Sequence, residues 1–188
     1  MSGEPNTSGG KAAELEHIYA EKALAEFAAA DRVAPGSDGV KWSGDLFAEV
    51  VLVKGEPGPA EVSGGAALSG PDGVAARKAL ETLGFDQDSV FATVAHPEAG
   101  IDPDLLRERL VIQVEAVDPT VVVALDATAT AEVAAAFSLG ALPYGTGVRA
   151  GGRTFVAVDG LEASLADERA KRRVWRQMQA IEVRPPAL

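Results

Sequence analysis

The chain contains no cysteine. That absence excludes disulfides, thiolate metal sites, cysteine nucleophiles and cysteine-ligated iron–sulfur clusters. Aromatic residues make up only 5% of the chain, and there are two histidines, His17 and His96. Basic residues are outnumbered, 17 against 28 acidic, for a net charge of −11. Such a chain is repelled by DNA and by anionic membranes, so any nucleic-acid contact must rest on a local basic patch. No apolar run is long enough to span a bilayer, and Met1 to Gly10 carry neither the basic start nor the apolar segment of a secretory signal. A cytoplasmic location with no membrane partner is expected. Phosphate-cradling motifs are missing too: there is no G-x-G-x-x-G after the first apolar run and no G-x-x-x-x-G-K-[ST]. Ser63 and Ser69 miss the G-x-S-x-G elbow, because Glu61 and Ala67 stand where its first glycine belongs.

What remains is the composition of an ordinary globular domain. With 188 residues, 47% of them hydrophobic, the chain can bury one sizeable core. Residues 1–10 are polar and rich in Gly and Ser and read as a disordered tail, leaving 11–188 as a single domain. Lys11 to Arg32 reads as a helix with Leu15, Ile18, Tyr19, Ala23 and Phe27 recurring on one face. Apolar strands follow at Leu46–Val53, Ser89–Ala95, Thr120–Leu125 and Arg153–Val158. Helices are expected at Asp72–Leu83, Asp102–Ala116, Thr128–Phe137 and Ser164–Ile181. The run Val121-Val122-Val123-Ala124-Leu125 is too continuous for a half-exposed strand and reads as the middle of a parallel sheet. Strands alternating with helices predict an α/β protein, a three-layer α/β/α sandwich on a four-stranded, mostly parallel sheet.

In such a sheet, ligands bind beyond the carboxyl ends of the strands. Those ends are the loops starting at Lys54, His96, Asp126 and Asp159, which supply Glu56, Glu61, His96, Asp126 and Asp159. Glu56 reads either as a group that positions water for attack or as a solvated loop carboxylate. His96 is either a catalytic imidazole or the start of a turn before Pro97. Asp126, with Asp159, Glu56 and Glu61, either offers oxygens to a hard cation or simply caps the next helix. No cofactor and no metal is assigned. On the last helix Arg169, Arg172, Arg173 and Arg176 fall at i, i+3, i+4 and i+7, a stripe suited to phosphate, while Val174, Met178 and Ile181 form its core face and Trp175 is expected inside.

The order of these elements resembles the uracil-DNA glycosylase superfamily, most closely its bacterial and archaeal branch with an iron–sulfur cluster. The similarity runs from about Leu46 to Ile181. The family's G-E-A-P-G loop falls on Gly55-Glu56-Pro57-Gly58, one residue shorter, and G-R-P-F-V-G falls on Gly65-Ala66-Ala67-Leu68-Ser69-Gly70. The resemblance thus puts Leu68 at the position of the ring that stacks on uracil, Val94 at that of the Asn that reads its edge, and Leu106 at that of a cluster-ligating Cys. Leu110, Gln113 and Pro119 match L-x-x-Q-x-x-x-x-x-P, Val123 to Ala129 match V-A-L-G-A-T-A with Asp126 for Gly, and Lys171 and Trp175 match K-x-x-x-W. Counting back from these places the H-P-S motif, whose His stabilises departing uracil, on Gly160-Leu161-Glu162.

The resemblance implies a base pocket made of Gly55, Pro57, Gly58, Leu68, Val94 and Gly160 with Glu56 as its surviving catalytic group; His96 and Asp159, from their place at the strand ends, are the other candidate catalytic groups, and the four arginines of the stripe are the candidate phosphate contacts. Extruding and excising a base needs stacking, edge hydrogen bonds and a partner for developing charge. Leu68, Val94 and Gly160 supply none of the side chains that do this. Two functions are therefore expected of different kinds: a protein without standard uracil excision that keeps the fold to bind a nucleobase-like molecule or a protein, or a DNA glycosylase with a remodelled pocket in which Glu56 holds water. DNA binding is expected to be weak. The protein is expected to be iron-free, with Leu15, Ile18 and Phe27 of the first helix filling the space of the cluster.

Overall fold

The computed structural model describes residues 7–181. Its elements in chain order are α1 (Thr7–Val33), β1 (Ser43–Gly44), β2 (Val50–Lys54), α2 (Pro59–Val62), α3 (Pro71–Thr82), β3 (Val90–Val94), α4 (Pro103–Val117), β4 (Val121–Ala124), α5 (Ala127–Ala136), β5 (Val148–Ala150), β6 (Arg153–Ala157), α6 (Leu161–Ser164) and α7 (Glu168–Met178). Among the described residues the sheet has six strands in the order β1-β3-β2-β4-β6-β5. The inner four pair in parallel, and β1 and β5 add antiparallel edges. The four-strand expectation is corrected on this point. The added strands are two and three residues long, too short to leave an alternating pattern in the sequence.

Each inner strand is covered on both faces, which is why its residues are apolar without alternation. The pleat sends Val50, Leu52, Val121 and Val123 to one face, where they meet Ala76 and Leu80 of α3, Leu161 of α6 and Val174 and Met178 of α7. Val51, Val53, Val122 and Ala124 point the other way, to Phe27 of α1, Leu110 and Val114 of α4 and Ala129 and Val133 of α5. Helices therefore lie on both faces of one sheet, and the molecule is α/β. Asp102 starts α4 by accepting the Asp104 N–H at 2.9 Å, with Pro103 in the first turn, as the sequence suggests.

Two readings of the helices change. The first helix begins at Thr7, inside the stretch read as tail, while residues 1–6 lie outside the described residues. Phe27 is buried and stacks with Trp42 and Phe91 at centroid distances of 5.1 and 5.2 Å. Leu15 and Ile18, however, are 54% and 52% exposed, so α1 covers α4 with its C-terminal half alone. The last helix divides at Leu165–Asp167, where the Asp167 carboxylate accepts the Arg169 and Ala170 N–H groups and starts α7 anew. No described helix is long and apolar enough to cross a membrane.

Candidate functional site

The chain places β3 on one side of β2 and then β4 on the other. That reversal opens a crevice at the carboxyl ends of β2 and β4, the usual ligand position in an open parallel sheet. A cleft of about 470 Å³ lies there. It is walled by Lys54, Glu56 and Pro57 after β2, Leu125, Asp126, Ala127 and Thr128 after β4, Gly160, Leu161, Glu162 and Ala163 after β6, and Asp72 of α3.

Lys54 dominates this cleft. It closes β2, where the strand still runs through the core, so its side chain is 5% exposed. Its Nζ lies 2.7 Å from Asp72 Oδ2, 2.9 Å from Glu162 Oε2 and 3.2 Å from Glu61 Oε2. An ammonium has three N–H donors, and each finds a carboxylate. Burial pushes the Lys54 pKa down, but the hydrogen bonds to Asp72 and Glu162 and the Asp72 charge outweigh it, so the net shift is upward. Lys54 is therefore a fixed cation and not an amine nucleophile. Glu61 is itself held by Gly58 N–H at 3.0 Å and Leu68 N–H at 2.9 Å, which ties the loop after β2 to the segment before α3. Glu61 and Asp72 are buried, whereas the Glu162 side chain is 43% exposed. Glu162 is the one partner of Lys54 that faces solvent substantially.

The other predicted residues divide. Glu56, Pro57 and Gly160 line the cleft. Gly58 packs so closely on Lys54 and Glu162 that a Cβ would collide with both, and Gly55 is pressed likewise against Asp126 and Thr128. Asp126 accepts the Gly55 N–H on one oxygen and the Ala129 N–H on the other, each at 2.8 Å. It caps α5 and fixes the β2 loop. Leu68 and Val94 are buried in the core cluster and do not line the cleft. His96 faces away, its Nε2 3.3 Å from Glu132 Oε1 but without hydrogen-bond alignment, while Arg107 holds the other Glu132 oxygen at 2.7 Å. Asp159 pairs with Arg173 at 3.0 Å. Among the described residues no group of three His, Asp or Glu side chains is arranged to hold a metal ion.

The lining carries four carboxylates and one ammonium, and the ammonium is already neutralised. Glu56, the outer oxygen of Glu162 and the Thr128 hydroxyl are what such a cleft offers to a ligand. All three can accept hydrogen bonds, and the field is negative, the opposite of what a DNA groove needs. Arg169, Arg172 and Arg176 gather elsewhere, around the half-buried Trp175 on the outside of α7. Trp175 is not a core residue, because it sits one position off the Val174 and Met178 face. Lys54, Asp72 and Glu162 were not singled out by sequence reasoning. The available signal was a lysine continuing a fully apolar strand, which demands a carboxylate partner once the strand is buried.

No protein-family model matches the chain, and no curated protein matches it.

Proposed function

We propose that this protein is a divergent member of the uracil-DNA glycosylase superfamily that lacks standard uracil excision and uses the strand-end cleft to hold a small nucleobase-like molecule rich in hydrogen-bond donors. The observation that carries this reading is the Lys54 cluster. Its ammonium is consumed by Glu61, Asp72 and Glu162, so it is committed before any phosphate arrives, and the groups left facing the cleft are acceptors. The parallel order β3-β2-β4-β6 and the cleft at the β2/β4 reversal support the superfamily assignment. The volume of about 470 Å³ is within the usual range for small-molecule sites.

An amino-bearing base presents N–H donors that Glu56 and Glu162 can accept, whereas a phosphate or carboxylate meets their charge head-on. Calorimetric titration of the purified protein with cytosine, adenine and uracil tests this. Binding of the amino-bearing bases that weakens in Glu56→Gln supports the proposal. Preference for an anionic ligand, or equal binding by the Glu56→Gln, Glu162→Gln double variant, contradicts it.

A further inference from the structure

We propose that the outer face of α7 is a second binding site, for a nucleotide unit whose planar ring stacks on Trp175 and whose phosphates are held by Arg169, Arg172 and Arg176.

The first support is how the basic residues of α7 are used. Lys171 pairs with Glu168 at 2.8 Å and Arg173 with Asp159 at 3.0 Å. Among the described residues no carboxylate lies within ion-pair distance of Arg169, Arg172 or Arg176; Glu168, one turn before Arg172, feels the Arg172 charge without closing on it, and Arg176 donates to the Arg172 carbonyl at 3.3 Å. In a chain with 28 acidic and 17 basic residues, that is an unusual place for three cations to be left open. Arg172 and Arg176 are moreover one turn apart, where like charges repel and the helix gains from an anion between them. The second support is independent of charge. Among the described residues, these three arginines and Trp175 line one shallow depression. The chain's other tryptophan, Trp42, is stacked against Phe27 and Phe91, while no described ring stacks on Trp175.

Together these features select the ligand. An acidic peptide satisfies the guanidinium groups but brings no ring to the indole, and an apolar partner leaves the cations unmatched. Arg169 to Arg176 spans about 10 Å along the helix at about 1.5 Å per residue, long enough for a polyphosphate or for consecutive phosphates of a strand. Aromatic stacking flanked by arginine is how sequence-tolerant single-strand sites are built. The shared chemistry is a ring with phosphate, supplied either by a free nucleotide or by a single strand.

The full-length chain is titrated with ATP, a ten-residue oligothymidylate and inorganic tripolyphosphate. Calorimetry on the unaltered protein is read beside fluorescence quenching of Trp175 in Trp42→Phe. Quenching by ATP or by the oligonucleotide is expected. Equal affinity assigns a free nucleotide, and much tighter oligonucleotide binding assigns a strand. Three phosphate contacts give a log K against log salt slope of about −2 for a single strand, an affinity loss of about fifteenfold between about 50 and about 200 mM salt. Charge reversal in Arg172→Glu with Arg176→Glu is expected to weaken binding at least about tenfold. The proposal is overturned by no binding at the lower salt, by affinity unchanged in that double variant, or by tripolyphosphate binding as tightly as ATP.

Discussion

Two of the clusters of charge on this molecule are built on opposite plans. At the end of β2 one ammonium, Lys54, is enclosed by three carboxylates. On α7 three exposed guanidinium groups surround an indole, and among the described residues no carboxylate closes on them to ion-pair distance. The first cluster is closed: its donors are used up, most of it is buried, and its charges stay because removing one strands the others. The second is open, and its charges are available. A basic residue is therefore informative only together with its partners. The lysine at the catalytic-looking end of the sheet is a tie between segments, and the arginines on the outside are the groups free to meet an anion.

The contrast predicts unequal responses to mutation. The largest effect belongs to Lys54→Met, which leaves Glu61 and Asp72 buried without a counter-charge. A loss of about 3–5 kcal/mol in urea-induced unfolding is expected. Adding Glu61→Gln and Asp72→Asn should recover part of that loss, since the stranded charges are then gone. A loss below about 1 kcal/mol in the single variant would show that the cluster is hydrated and not closed.

Next comes Glu162→Gln. Its side chain is 43% exposed, so its share of the cluster resembles a surface pair and should cost no more than about 1 kcal/mol. Smaller still is the double change Arg172→Ala with Arg176→Ala. Unfolding should be unchanged or easier to resist by a few tenths, roughly 0.2–0.5 kcal/mol, because like charges one turn apart are relieved. A clear destabilisation would mean that these arginines are structural, and the two clusters would then not differ in kind.

The pH dependence sharpens the same point. The folded pKa of Lys54 is raised, so its stabilising contribution is complete below the unfolded value of about 10.4 and is lost only as pH rises through the higher folded value. The stability difference between the parent and the triple variant Lys54→Met, Glu61→Gln, Asp72→Asn, which leaves no stranded buried carboxylate to titrate, is therefore expected to stay constant from about pH 7 to about pH 9 in denaturant titrations. A decline across that window would mean that the ammonium is not held as described.

Much of the scaffold is legible in the sequence because burial writes itself into long apolar runs. Val50–Val53 and Val121–Ala124 are covered on both faces and therefore hydrophobic throughout, and Asp102-Pro103 marks a helix start through the chemistry of the cap. The edge strands β1 and β5 pair through two or three residues, which is too little for a pattern. Topology leads to the strand-end cleft, walled by the loops after β2, β4 and β6, but the loop at His96 after β3 does not join it, and the chemistry of the cleft is not legible. Lys54, Glu61, Asp72 and Glu162 are separated by 7, 11 and 90 positions in a chain of 188, so no local spacing links them. Read singly, Lys54 starts a loop, Asp72 opens a helix and Glu162 sits in a polar stretch. Trp175, expected inside, is half-buried on the outer side of α7 because a single residue step from Val174 turns the side chain about 100° around the helix axis.

The central claim is that the strand-end cleft has exchanged base excision for binding, and a uracil-excision assay on single- and double-stranded DNA tests it most directly. Leu68 and Val94 are buried in the core, Gly160 has no side chain to stabilise a leaving base, and the carboxylates of Glu56 and Glu162 face the space that DNA would enter. The account predicts no uracil release above the uncatalysed background from either substrate. Clear release that disappears in Glu56→Gln would contradict it and make Glu56 the group that positions the attacking water.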